Sequence, residues 1–233
     1  MAGILLPICA TFFSLLLTII YFSKKRIDLV ENKIYSFMIP IVLIDSVLVS
    51  LVQGIGLNGI NSISNIFISL INKIDFMLLV VYSNCILFYI ILITYPKVKN
   101  KFKFLLSAFS VLDILVFIFI ALGKVIIISK GHNNSVEGSS LMTTLIVCGI
   151  YIFSSIVISI INIKKIDKRY IPVFASIGIA LFLIPMFKIN PYLIVVSITL
   201  TFINYIMFFT IENPDVKMVK ELEIAKDAAV KAN

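Results

Sequence analysis

The sequence predicts an all-α integral membrane protein. The expected form is a seven-transmembrane helix bundle with its N-terminus outside and a C-terminal cytoplasmic signalling helix. Three observations carry this expectation. The chain of 233 residues is 61% hydrophobic and only 14% charged, against roughly half apolar and a quarter charged in a soluble domain. Its apolar residues fall in runs long enough to cross about 30 Å of hydrocarbon. Its 20 basic residues divide by loop, sixteen on one side of those runs and four on the other.

Seven apolar runs lie near 3–22, 34–57, 74–95, 102–122, 141–163, 170–187 and 191–211. The first lacks a basic n-region and an A-x-A-like cleavage site, so it reads as a retained span rather than a signal peptide. The sixth is short and meets the seventh at the tight turn Lys188-Ile189-Asn190; a six-span reading would fuse the pair. In 61–73, Ile63, Ile66, Phe67, Leu70 and Ile71 recur at helical spacing. That pattern predicts a short amphipathic helix on the outer surface before the third span. The alternative is a long, tilted third helix that begins early. The β-branched stretch Lys124-Val-Ile-Ile-Ile-Ser129, with Gly131-His132-Asn133-Asn134-Ser135 after it, suggests a small hairpin in the outer loop.

Orientation follows from Lys and Arg. One set of loops carries Lys24, Lys25, Arg26 and Lys33, then Lys97, Lys99, Lys101 and Lys103, then Lys164, Lys165, Lys168 and Arg169. The tail adds Lys217, Lys220, Lys226 and Lys231, and the opposite side holds only Lys73, Lys124, Lys130 and Lys188. The tail is therefore expected in the cytoplasm. In a soluble chain a net charge of +8 would raise nucleic acid as a partner. Here the charge sits in short loops, so the lipid bilayer is the expected partner and nucleic acid is not. Cys9, Cys85 and Cys148 lie inside apolar runs without CxxC spacing or His neighbours, which predicts no metal site, no disulfide framework and no cofactor.

A charge at the bilayer centre costs about 2.5–3.5 kcal/mol on insertion scales. Asp45, in the middle of the second run, and Asp113, in the middle of the fourth, lie at similar depth with no buried Lys or Arg to pair with them. Both are expected to face the bundle interior, where they are protonated, hydrogen-bonded or neutralised by a cation. Two readings stay open. Each acid ties its helix to a neighbouring Ser, Asn or carbonyl, or each takes part in ligand, proton or ion sensing. Asn84, Asn162 and Asn204 are the candidate partners; Gln53 and Asp75 read as lying nearer the outer surface.

The chain divides into a membrane domain, 1–211, and a cytoplasmic helix, 212–233. Asn213 suits an N-cap, Pro214 the first helical position, and Asp215 the positive helix end. Met218, Leu222, Ala225 and Ala229 follow the spacing of a coiled-coil seam, which predicts a homodimer through the tail. The stretch Thr201-Phe-Ile-Asn-Tyr-Ile-Met-Phe-Phe-Thr-Ile-Glu-Asn-Pro-Asp215, running into Glu221-Leu-Glu-Ile-Ala-Lys-Asp-Ala-Ala-Val-Lys-Ala-Asn233, resembles the end of the N-terminal multi-span membrane sensor region of bacterial (Firmicutes-like) sensor histidine kinases. The specific part of the resemblance covers 200–233; elsewhere only the general layout agrees.

The resemblance implies a sensor and signal-transmission module in a bacterial plasma membrane. It also implies a downstream kinase core and a response regulator as partners. Transmission would run through Asn213, Pro214, Asp215 and the seam. The chain departs from that family's whole proteins in having no His-Glu-x-x-x-x-Pro box and no Gly-rich nucleotide boxes, and its single histidine, His132, falls in an outer loop. No catalytic site is therefore expected in this chain. It either precedes an output core or signals through a partner. Two other readings are a stand-alone transporter or channel using Asp45 and Asp113, and a sensor with a different output such as a cyclic-dinucleotide enzyme.

Overall fold

The structure, a computed structural model, describes residues 2–23, 30–57, 62–95, 102–130, 133–162, 174, 195–211 and 226. Within them the order is α1 (Ala2–Phe22), α2 (Val30–Leu57), α3 (Ser62–Thr94), α4 (Phe102–Leu122), β1 (Ile126–Lys130), β2 (Asn133–Glu137), α5 (Ser139–Ile161) and α6 (Val196–Ile211). Among the described residues four helices are long and apolar enough to cross a membrane, and Leu106–Leu122 and Val196–Thr210 form shorter apolar helices. The predicted sixth span at 170–187 and the tail at 212–233 lie outside the described residues, apart from Phe174 and Lys226.

The surface is apolar and much of the interior is polar. Phe12, Ile19, Val111, Ile118, Phe119, Ile146 and Phe153 are exposed, whereas Ser14, Asp45, Ser46, Asn84, Ser140, Thr144, Ser155 and Asn204 are buried. A water-soluble fold does not bury its hydroxyls and acids while exposing its largest apolar side chains. A bilayer accounts for both, because lipid solvates the apolar faces and the polar groups join helices to one another. The chain is a membrane protein.

Small hydroxyl residues set the helix contacts. On α5 the buried positions are Ser140, Thr144, Tyr151, Ser155 and Ser159, one stripe at helical spacing, and α5 packs on α3. The hydroxyls are satisfied one turn back: Ser155 Oγ donates to Tyr151 O at 2.9 Å and Ser159 Oγ to Ser155 O at 2.7 Å. The stripe can thus approach α3 closely without orphaning a polar group. Across the α1–α2 contact, the hydroxyls of Ser14 and Ser46, and of Thr11 and Ser50, meet at 3.2 Å.

One prediction is corrected. The segment 61–73 is not a separate surface helix. α3 runs unbroken over 33 residues from Ser62, about 50 Å at 1.5 Å per residue. It contains no Gly or Pro to stop it. The apolar spacing at its start serves a long helix: Ile68 and Ile71 pack with Val52 and, from the hairpin, Ile127, while Ile66, Phe67 and Leu70 face outward. Asp75 consequently lies about 20 Å inside the helix rather than at its mouth.

The hairpin suggested by the β-branched run is present. β1 and β2 pair antiparallel, with Ile126 opposite Glu137 and Ile128 opposite Ser135. Below it, Lys124 N donates to Ser139 Oγ at 2.8 Å, Ser140 N to Lys124 O at 3.3 Å, and Ser140 Oγ to Ile120 O at 2.9 Å. These bonds staple the end of α4 to the start of α5. Lys73 Nζ donates to Ala121 O at 2.6 Å, setting a cation on the negative end of α4.

Candidate functional site

α3 is the spine of the bundle, with α2 on one side and α4 and α5 on another. Helical geometry sorts its polar residues. Asp75 and Tyr82 are seven apart and share a face; Asn84, nine residues from Asp75, points about 180° away. Two polar clusters result, one on each face.

The first joins α3, α4 and α5. Asn84 Nδ2 donates to Asp113 Oδ2 at 2.6 Å, and Tyr151 OH donates to Asp113 Oδ1 at 2.9 Å. Both carboxyl oxygens therefore have donors, and Phe109 closes the cluster against Tyr151, ring centroids 6.3 Å apart. This arrangement ties three helices together, and Asn84, one of the three candidate amide partners of the two acids, is bonded to Asp113.

The second joins α2, α3 and α6. Asp45 lies beside Asp75 and the hydroxyl of Ser197. Asp45 Oδ1 and Oδ2, Asp75 Oδ1 and Ser197 Oγ are all buried and partnerless. Exposure is 1% at Asp45, 7% at Asp75 and 0% at Ser197, so all three lie away from the surface. A buried polar group without a partner costs about 1–3 kcal/mol, so four such atoms at one place call for something more than packing.

Tyr82, next along this face, also lies near Asp45. Its hydroxyl donates to Asn204 Oδ1 at 3.1 Å, and Tyr35 OH donates to Asn204 O at 2.7 Å. Asn204 thus holds α6 to α2 and α3 together. Tyr205 OH adds a bond to Phe13 O on α1 at 2.9 Å.

The sequence reading singled out Asp45, Asp113, Asn84 and Asn204. The structure brings Asn84 to Asp113, but Asp45 meets neither of them. Its neighbours are Asp75 and Ser197. From sequence alone Asp75 reads as superficial, because the third apolar run begins at 74, and Ser197 carries no signal beyond being a hydroxyl in an apolar run. Asn162 closes α5, donating from Nδ2 to Ile158 O at 2.9 Å and to Tyr95 OH at 3.3 Å. Asn213, Pro214, Asp215, Met218, Leu222, Ala225 and Ala229 lie outside the described residues. Among the described residues no three His, Cys, Asp or Glu side chains converge as metal ligands. Comparison with models of protein families, with characterised proteins and with solved structures gives no match.

Proposed function

We propose that the chain is the membrane sensor and signal-transmission module of a bacterial two-component histidine kinase. It sits in the plasma membrane as seven spans with its N-terminus outside. The observation that carries this reading is the double attachment of Asn204, by Tyr82 to its side chain and by Tyr35 to its backbone. Asn204 lies on α6, the helix that runs into the tail. A rearrangement around Asp45 is felt electrostatically at Tyr82, which is bonded to Asn204 on the helix that precedes the tail. Cytoplasmic output needs such a link between a buried site and the last helix.

The course of the helices supports seven spans. Tyr35 near the start of α2 meets Asn204 midway along α6, and Asp45 further along α2 meets Ser197 early in α6, so these helices are antiparallel. α5 and α6 then both end at the end of the bundle where α2 begins. On this reading the chain between them crosses once more, and 170–187 is the apolar run available for it. A transporter that uses Asp45 and Asp113 along one path fits less well, because Asp113 already accepts two hydrogen bonds on the far face of α3.

The test is rotational. With a histidine-kinase core joined after Asn233, one residue inserted between Asp215 and Met218 turns the downstream seam by about 100°, and seven residues nearly restore its facing. The single insertion is expected to lock autophosphorylation high or low, and the seven-residue insertion to leave stimulus control intact. Like behaviour of the two insertions would reduce the tail to a passive tether and overturn the reading.

A further inference from the structure

We propose that Asp45, Asp75 and Ser197 form a binding site for one small monovalent cation of the sodium class. The site draws one oxygen-bearing side chain from each of α2, α3 and α6. Four of its oxygens, both from Asp45, Oδ1 of Asp75 and Oγ of Ser197, are buried without a hydrogen-bond partner. Two carboxyls side by side in a low-dielectric interior repel each other when both are charged. The lysine nearest in sequence, Lys73, is bonded to Ala121 O instead.

A proton alone does not resolve this arrangement. A proton shared between the two carboxyls joins one oxygen of each across a short bond, about 2.5–2.7 Å for O–H···O⁻, which leaves the other Asp45 oxygen and Ser197 Oγ without a partner. A cation coordinates all of them at once. The donors are hard oxygens only, which excludes the thiolate- and imidazole-seeking metals. A divalent ion fits poorly: calcium takes about 6–8 oxygen ligands and magnesium keeps several waters, whereas this cluster is closed to solvent and has no third acid among the described residues. A monovalent ion sheds its water more readily and accepts fewer ligands. Ser197 gives the site its link to output, because α6 carries both Ser197 and Asn204.

The site deepens the sensor reading by naming its ligand. Binding is measured without an output domain, so its failure is distinguishable from failure of the insertion assay. The probe is sodium chloride against choline chloride at equal ionic strength, on the purified full chain in detergent or nanodiscs. Sodium at about a hundred times its Kd is expected to raise Tm by roughly 5–10 °C. Asp45→Asn and Asp75→Asn are expected to abolish the shift, Ser197→Ala to weaken apparent affinity about tenfold, and Asp113→Asn to leave it unchanged. Radiolabelled sodium binding to the unmodified chain gives a second measurement that does not depend on any variant folding. Equal Tm in sodium and choline with no bound label overturns the proposal. So does a Tm that follows pH alone, or one raised by calcium and not by sodium. A sodium shift that persists in both Asp45→Asn and Asp75→Asn moves the ion elsewhere and overturns this assignment as well.

Discussion

Asn84 on α3 and Asp113 on α4 are joined by a 2.6 Å hydrogen bond from the amide to Oδ2, while the carboxyl's other oxygen accepts from Tyr151 on α5 at 2.9 Å. An acid in a membrane helix is often a functional group, yet this one has no acceptor capacity left in the direction of either donor. Its structural role has measurable consequences. Asp113→Leu strands two interior donors. Interhelical hydrogen bonds in membranes average about 0.6 kcal/mol and reach about 1.7, so the loss is about 1–3 kcal/mol. In a chain of this size that lowers Tm by roughly 3–10 °C. Asp113→Asn keeps one acceptor and loses about half as much. Thermal unfolding in detergent reads both variants; a stability equal to the unmodified chain in Asp113→Leu would show that the network contributes nothing.

Asn204 makes a contrasting prediction, because one of its two bonds is made by its backbone. Tyr35→Phe removes a bond to Asn204 O, and Tyr82→Phe one to Asn204 Oδ1. Each single loss is expected to cost about 1 kcal/mol. Both act on the same turn of α6, so the double variant is expected to be non-additive by about 0.5 kcal/mol or more. Strict additivity in a thermodynamic cycle would mean that the two tyrosines hold α6 independently, and the route from Asp45 to the tail would lose its central link.

The hairpin depends on one glycine. Gly138 has φ of 127°, a region that costs a side-chain-bearing residue about 1–3 kcal/mol. A Cβ there would also strike Lys124 O and C of the facing backbone. Gly138→Ala is expected to open the joint between β2 and α5 and release the bond from Lys124 N to Ser139 Oγ. Hydrogen exchange reports this directly: protection should fall at Lys124 and Ser140 and persist in the middle of α5. Unchanged protection at both amides would show that the joint relaxes around a methyl group.

The helices were legible because lipid imposes a length and a composition that can be read residue by residue. The hairpin was legible from three consecutive isoleucines following Val125. The start of α3 was less so, because an amphipathic opening looks the same whether a helix stops at the surface or continues inward. The difference lay in the absence of any Gly or Pro between Ser62 and Thr94, which favoured continuity. Once α3 is started at Ser62, Asp75 and Tyr82 share a face and Asn84 lies opposite, so the division into two polar clusters follows from 100° per residue. Which helix covers each face does not follow. Asp45 meets Asp75 rather than Asp113 because α2 packs on one side of α3 and α4 on another, a tertiary choice that no local period encodes.

Topology gives the last prediction. Cys9, Cys85 and Cys148 are free thiols and are first replaced, so that a single introduced cysteine reports its own side of the membrane. Asn133→Cys, at the hairpin, is expected to react with an impermeant thiol reagent in intact cells. Lys99→Cys and Ile166→Cys are expected to react only after permeabilisation, as the basic loops dictate. The last two positions flank α4, the hairpin and α5, an even number of crossings, so they must share a side whatever the orientation. Opposite labelling of 99 and 166 would therefore break the helix count itself, whereas a complete reversal would invert the bundle and leave the count intact. Asn190→Cys separates seven spans from six. If 170–187 crosses, position 190 labels from outside, opposite to 166; if the segment is fused to the last helix or lies along the surface, 190 labels with 166. In the second case α6 would have to begin at the cytoplasmic end, against its antiparallel contact with α2 through Tyr35 and Asn204. Labelling of 190 from the cytoplasm would thus count against seven spans and against the placement of α6 together.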